Sequence, residues 1–224
     1  MVKIIADSTC DLSEELVKKY DIDILPLHVL LDGEEYLDGV NISPDEIFKW
    51  SDANRKTPGT SAPSMDEAMA LFKKYLDDGK EIVTFSISSQ MSASNNVMRV
   101  AAESLGAEDR IFVIDSANLS TGIGLLVIEA AIMAADGKCG SDIAARMAEL
   151  IPLVRASFVV DTLVFLHRGG RCGGLSAMVG GALKLHPRIA VADGAMSAGR
   201  KFRGKIGKVY LEYAKDMEEA MKNA

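Results

Sequence analysis

Cysteine is scarce in this chain: Cys10, Cys139 and Cys172 are its only three, far apart and without a CxxC pair. An odd, scattered set fits neither a disulfide framework nor a thiolate zinc site, and it suits a reducing compartment. No apolar run reaches the length of a membrane span and no leader-like segment precedes Met1-Val2-Lys3, so the expectation is a soluble, cytoplasmic protein. Nucleotide motifs are missing as well. There is no GKS or GKT phosphate loop, and "TGIGLL" lacks the third glycine of a dinucleotide fingerprint. No serine sits in a GxSxG elbow, and a hydrolytic triad would have only His28, His167 and His186 to draw on. A net charge of −7 argues against general nucleic-acid binding.

The charge that is present is unevenly spread. Residues 1–156 carry 14 Lys+Arg against 26 Asp+Glu, whereas residues 157–224 carry 11 against 6. An acidic body with a basic end reads either as two domains with different surfaces or as a site for an anionic ligand or acidic partner near the basic end. At 224 residues the chain is long enough for one large domain or two modest ones with cores of their own.

Hydrophobic spacing divides the chain in two. Val2 to Ala6, Ile82 to Ile87 and Ile111 to Ile114 are short apolar runs, each followed by apolar residues at helical intervals, the last by Ile123 to Ala135. Repeated strand–helix alternation predicts a parallel sheet with helices on its faces. Between the first two units, "ILPLHVLLDGEEYLDG" places Asp32-Gly33 between extended runs, a hairpin signal, so a hairpin insertion is expected near 25–40. From about Ser157 the pattern changes to antiparallel strands, a second Asp-Gly turn and a helical run from Lys205 to Met221. The expectation is an α/β protein: a parallel α/β domain over 1–155 and a smaller antiparallel α+β domain over 156–224.

Where strands of the first domain run into helices, the loops share one chemistry. They read Asp7-Ser8-Thr9, "TPGTSAPS", Ser86 to Ser94 and Asp115-Ser116. Ligands of open α/β sheets settle at the carboxyl ends of strands, where helix N-termini offer free amides and hydroxyls add donors without charge. Ser64 and Glu67 are spaced as a capping box. Ser92 or Ser94 is expected to cap the helix carrying Val97, yet one cap does not need the five serines of "SISSQMSAS". That surplus points to a carboxylate or phosphate site. Cys172, beside Arg171 and near Arg168, is either a neutral thiol or a thiolate activated by them.

Seven segments in order resemble the DegV family of fatty-acid-binding proteins, whose fold is shared with dihydroxyacetone kinase. They are "IADSTCDLS", "LPLHVLLDGEEYLDGVNIS", "TSAPS", "SISSQMSAS", "VIDSANLSTGIGLLVIEAA", "VVDTLVFLHRGGR" and the pair "HPRIAVADG" and "RKFRG". The resemblance implies a long-chain fatty acid buried between two domains, with no cofactor and no catalytic residues of the chain's own. Its carboxylate would be held by the hydroxyls of Thr60, Ser61 and Ser92 and the amides of Ala93 and Ser94. It also implies a partner, an ATP-dependent kinase subunit that phosphorylates the bound acid, met through basic residues such as Arg171, Arg200 and Arg203. The family pattern has glycine where this chain has Ala93, a costly exchange of about 1 kcal/mol if that backbone is left-handed. Its last segment, with a histidine in an HCGPG-like motif, has no counterpart here, so the second domain is expected to be shortened. Two readings of another class stay open: a serine-dependent hydrolase or phosphotransfer subunit on the same fold, and an interaction protein without lipid.

Overall fold

In the computed structural model, which describes residues 1–171 and 185–222, the apolar run after Met1 forms strand β1 (Val2–Asp7). A short 3-10 turn (Ser8–Cys10), helix α1 (Glu14–Lys19) and β2 (Ile22–Leu25) follow. The strand ends before Pro26-Leu27, and β3 (His28–Leu31) turns at Asp32-Gly33 into β4 (Glu34–Leu37) as an antiparallel hairpin. Both turn residues have positive φ, 50° and 92°, as a two-residue hairpin turn of this kind requires. Next come α2 (Pro44–Asn54), β5 (Gly59–Ser61), α3 (Met65–Asp77), β6 (Glu81–Ser86), α4 (Ser94–Ser104), β7 (Ile111–Asp115), α5 (Thr121–Ala135) and α6 (Gly140–Leu150).

Four strands make a parallel sheet in the order β2-β1-β6-β7. Successive side chains of a strand face opposite sides, and here both sides are apolar. Ile4 and Ala6 of β1 and Val83 and Phe85 of β6 pack with Ile123, Leu126 and Val127 of α5 and Ile143 and Met147 of α6. Ile5 and Ile82 face the other way, onto Ala68 and Phe72 of α3 and Met98 and Ala101 of α4. Burial on both faces is why these strands read as continuous apolar runs rather than alternations. Each fully buried Phe or Ile stabilises the fold by about 1.5–3 kcal/mol. A separate three-stranded sheet, β4-β3-β5, packs Val29 and Leu31 against Ile42, Ile47 and Trp50. The parallel sheet, the hairpin and the antiparallel strands further on make this an α/β fold, as its sequence pattern predicts.

The chain forms two compact units, residues 1–154 with Asp193–Ala195, and the rest from Arg155 onward. The second contains β8 (Ala156–Val159), α7 (Val164–Arg168), β9 (Leu185–Ala192), β10 (Ala195–Arg203) and α8 (Ile206–Lys222). Its sheet runs β10-β9-β8, with β8 and β9 antiparallel. Val159, Phe202 and Val209 form one small core with Ile206 and Tyr213, and Leu163 and Ile189 another. No helix among the described residues is long and apolar enough to cross a membrane.

Candidate functional site

The carboxyl ends of β1, β6 and β7 lie side by side, so their loops meet at one edge of the parallel sheet. At the end of β1, Asp7 is fully buried (0% exposed). Its Oδ1 accepts from the amide and hydroxyl of Thr9 (3.2 and 2.5 Å), and its Oδ2 accepts from the amide of Ile87 (2.8 Å). Burial pushes its pKa above the ordinary carboxylate value, and the hydrogen bonds only partly offset that. At the end of β7, Asp115 Oδ1 accepts from the amides of Ser89 (3.2 Å) and Ala117 (3.0 Å). The carbonyl of Asn118 accepts from the amide of Ser88 (2.9 Å). Asn118 is 3% exposed, and its side-chain Oδ1 has no partner among the described residues.

Between these anchors runs the serine loop, and its hydroxyls divide by role. Ser86 Oγ accepts from Asn95 Nδ2 (3.0 Å). Ser88 Oγ donates to the carbonyl of Gly194 (2.7 Å), both within the first unit. Ser89 is exposed. Ser92 and Ser94 hydroxyls pair at 2.9 Å, and the Ser94 amide donates to Ser92 Oγ at 3.3 Å. Neither serine caps α4, contrary to expectation. The N-cap is Ala93, whose side chain has no hydrogen-bonding group. The helix starts one residue later than a Ser92 cap requires, and Ser92 reaches only the first helical amide. Ala93 has φ −78°, so alanine in place of the family's glycine carries no left-handed strain there. The amides of Ala93, Asn95 and Asn96 have no acceptor among the described residues. They form an uncapped helix start beside a hydroxyl pair, which can bind an anion.

Thr60 and Ser61 sit on β5, exposed, opposite Val29 and His28 of β3. Neither hydroxyl makes a hydrogen bond among the described residues. Just beyond, the Ser64–Glu67 capping box forms as its spacing predicts. Glu67 Oε2 also meets His28 Nε2 (2.8 Å), while His28 Nδ1 pairs with Glu35. Burial works against the imidazolium, but the hydrogen bonds to Glu35 and Glu67 outweigh it and leave the His28 pKa raised.

The basic residues lie in the second unit. Arg171 is exposed and donates to its neighbour Gly169's carbonyl (2.5 Å). Arg200 is paired with Asp216 (2.5 Å) and lies 5.1 Å over the Phe202 ring, while Arg203 is exposed. Of the three histidines, His28 is held by its two glutamates and His186, 4% exposed, lies between the carbonyls of Val160 and Gly204 (3.1 Å each). None hydrogen-bonds a serine hydroxyl among the described residues, where no group of three or more His, Cys, Asp or Glu is arranged for a metal either. Cys172 lies outside the described residues.

Sequence reasoning selected the loop but missed three of the groups that shape it: Asp7 and Asp115, read only as loop residues, and Asn118. An acidic residue closing each of two apolar strands was the available signal.

A solved structure from Eubacterium ventriosum, described as a stearic-acid-binding protein, is 33% identical and superposes with a TM-score of 0.87 over all of this chain and 79% of its own. Another, described as the fatty acid binding of a DegV family protein from Thermus thermophilus, is 29% identical with a TM-score of 0.86, covering 97% of this chain and 77% of that one. A DegV domain-containing protein of Clostridium acetobutylicum is 35% identical over 217 residues, 96% of this chain and 77% of the relative. With the family model for DegV, described as uncharacterised proteins, matching residues 1–221, the chain belongs to the DegV family.

Proposed function

We propose that this chain binds a long-chain fatty acid and holds its carboxylate with the hydroxyls of Thr60, Ser61 and Ser92 and with main-chain amides at Ala93, Ser94 and the start of α4. The observation that carries this reading is the uncapped helix start, where the amides of Ala93, Asn95 and Asn96 lack acceptors among the described residues next to the Ser92–Ser94 hydroxyl pair. Oriented amides and a helix dipole favour an anion, and hydroxyls orient it without adding charge. The family relatives described as binding fatty acids support the ligand class. An acyl chain of about fifteen methylenes gains about 12 kcal/mol on leaving water, so the tail supplies affinity and the head group orientation.

The same reading makes the chain a cytoplasmic carrier without a cofactor of its own, presenting its lipid to a separate ATP-dependent kinase subunit. The excess of basic over acidic residues beyond position 156 supports an acidic partner or a phosphorylated product there, with Arg171, Arg200 and Arg203 as contacts. Gentle denaturation of purified protein, followed by mass spectrometry, is expected to release stoichiometric fatty acid. Repeated absence of any acyl species, together with no uptake of added palmitate, overturns the lipid reading for this chain.

A further inference from the structure

The serine loop is held from below, main-chain group by main-chain group. Three successive amides are taken by three different acceptors: Ile87 by Asp7, Ser88 by the Asn118 carbonyl and Ser89 by Asp115. The next amides close on Ser88 itself, Gln90 on its hydroxyl and Met91 and Ser92 on its carbonyl. From Ile87 to Ser92 every amide is engaged, and the first without an acceptor among the described residues is Ala93. The backbone on either side of the Asn118 anchor is held against its own preference: in the loop after β7, Ala117 and Ser120 hold φ of 47° and 51°. Non-glycine residues in this region carry about 1–3 kcal/mol of strain each, which persists only where the surroundings impose it.

We propose that Asp7 and Asp115 are positioning residues for the head-group site, fixing the Ile87–Ser89 backbone so that Ser92 and the free amides of α4 are presented to the ligand. This inference rests on the carboxylate reading of the loop. Neither side chain touches the ligand; both act through the amides they hold. Asp7 is buried at a cost, since burial raises its pKa more than its three hydrogen bonds lower it. An interior optimised only for stability would have little use for a group in that state.

The acceptor geometry sets the test. Asp115 uses a single oxygen for both of its amides, so Asp115→Asn keeps an acceptor there and Asp115→Ala removes it. Asp115→Ala is expected to weaken palmitate binding about fivefold, with hexadecanol binding little changed, and Asp115→Asn to recover most of the loss. Asp7→Ala should act the same way through Ile87, but Asp7 is fully buried, so the half-exposed Asp115 keeps the test usable if that variant misfolds. If Asp115 acts through the loop, its effect should shrink in a Ser92→Ala background rather than add to it. Hydrogen exchange at the Ser89 amide should quicken in Asp115→Ala but not in Asp115→Asn.

Equal weakening of acid and alcohol by Asp115→Ala, or unchanged palmitate binding in it, overturns the positioning role. If Ser92→Ala alone leaves palmitate binding intact, it is the head-group reading that fails, and the Ser89 exchange rate still decides whether the clamp exists.

Discussion

A serine that completes a helix and a serine that reads a ligand differ in what their loss costs. Ser92 Oγ pairs with the Ser94 hydroxyl at 2.9 Å and accepts a long hydrogen bond from the Ser94 amide at 3.3 Å, both local and neutral, so removing it should destabilise folding by about 1 kcal/mol. A hydroxyl donating to a bound carboxylate makes a charge-assisted contact worth about 1.5–3 kcal/mol. Ser92→Ala and Thr60→Val are therefore each expected to lower palmitate affinity about tenfold or more while barely changing affinity for hexadecanol, measured by calorimetry on delipidated protein. Equal weakening of acid and alcohol would mean that these hydroxyls shape the site without reading the charge. The surplus of serines was legible in the sequence because a single cap could not account for it. The division of labour was not, since it depends on where α4 starts and on what Ser86 and Ser88 reach across the fold. Asp7 and Asp115 escaped notice for the same reason: besides its local turn contacts each holds a backbone amide far away in sequence, Ile87 and Ser89, which no side-chain motif records.

At the scale of elements, β3 is tied to the start of α3 by His28. Its side chain is 11% exposed and faces two carboxylates, Glu35 on β4 and Glu67 on α3. The His28 pKa is raised above its ordinary 6.5, so its contribution to stability is fully present below 6.5 and is lost as pH rises through the folded value. For Glu67, burial opposes ionisation, but hydrogen bonds from Ser64 and His28 lower its pKa below 4.5. Its contribution is present above 4.5 and is lost as pH falls through the lowered value. Among these groups the tie is strongest between the two, in mildly acidic solution. Thermal unfolding followed from pH 5.5 to 8.5 is expected to show a decline in Tm toward alkaline pH that His28→Gln flattens; identical slopes in the two proteins would remove His28 as its cause. The elements themselves were legible where local chemistry repeats: Asp32-Gly33 marked the hairpin, and Ser64 with Glu67 marked the start of α3. The break at Pro26-Leu27 was harder to place, because the apolar run from Ile22 to Leu31 continues through it while the chain passes from one sheet to another. Helix α6 has Cys139 at its N-cap, with no capping side-chain bond to announce it.

At the scale of the whole molecule, ligand binding and folding share one free energy. A ligand that binds only the native chain stabilises it by about 2.7 kcal/mol at a hundredfold excess over its Kd. A chain of this length responds with roughly 2–4 °C per kcal/mol, so palmitate at that excess should raise the Tm of delipidated protein by about 5–11 °C. The response also tests the head group. If Ser92→Ala weakens binding tenfold, the same palmitate concentration is only tenfold over its Kd, worth about 1.4 kcal/mol and about 3–6 °C. The wild type and the variant should therefore separate by several degrees with palmitate and hardly at all with hexadecanol. No rise with palmitate in the wild type argues that the native fold does not bind the acid. An undiminished rise in Ser92→Ala argues that the fold binds it without that hydroxyl. Comparing the two proteins at one ligand concentration makes the contribution of a single hydroxyl visible in the stability of the whole chain.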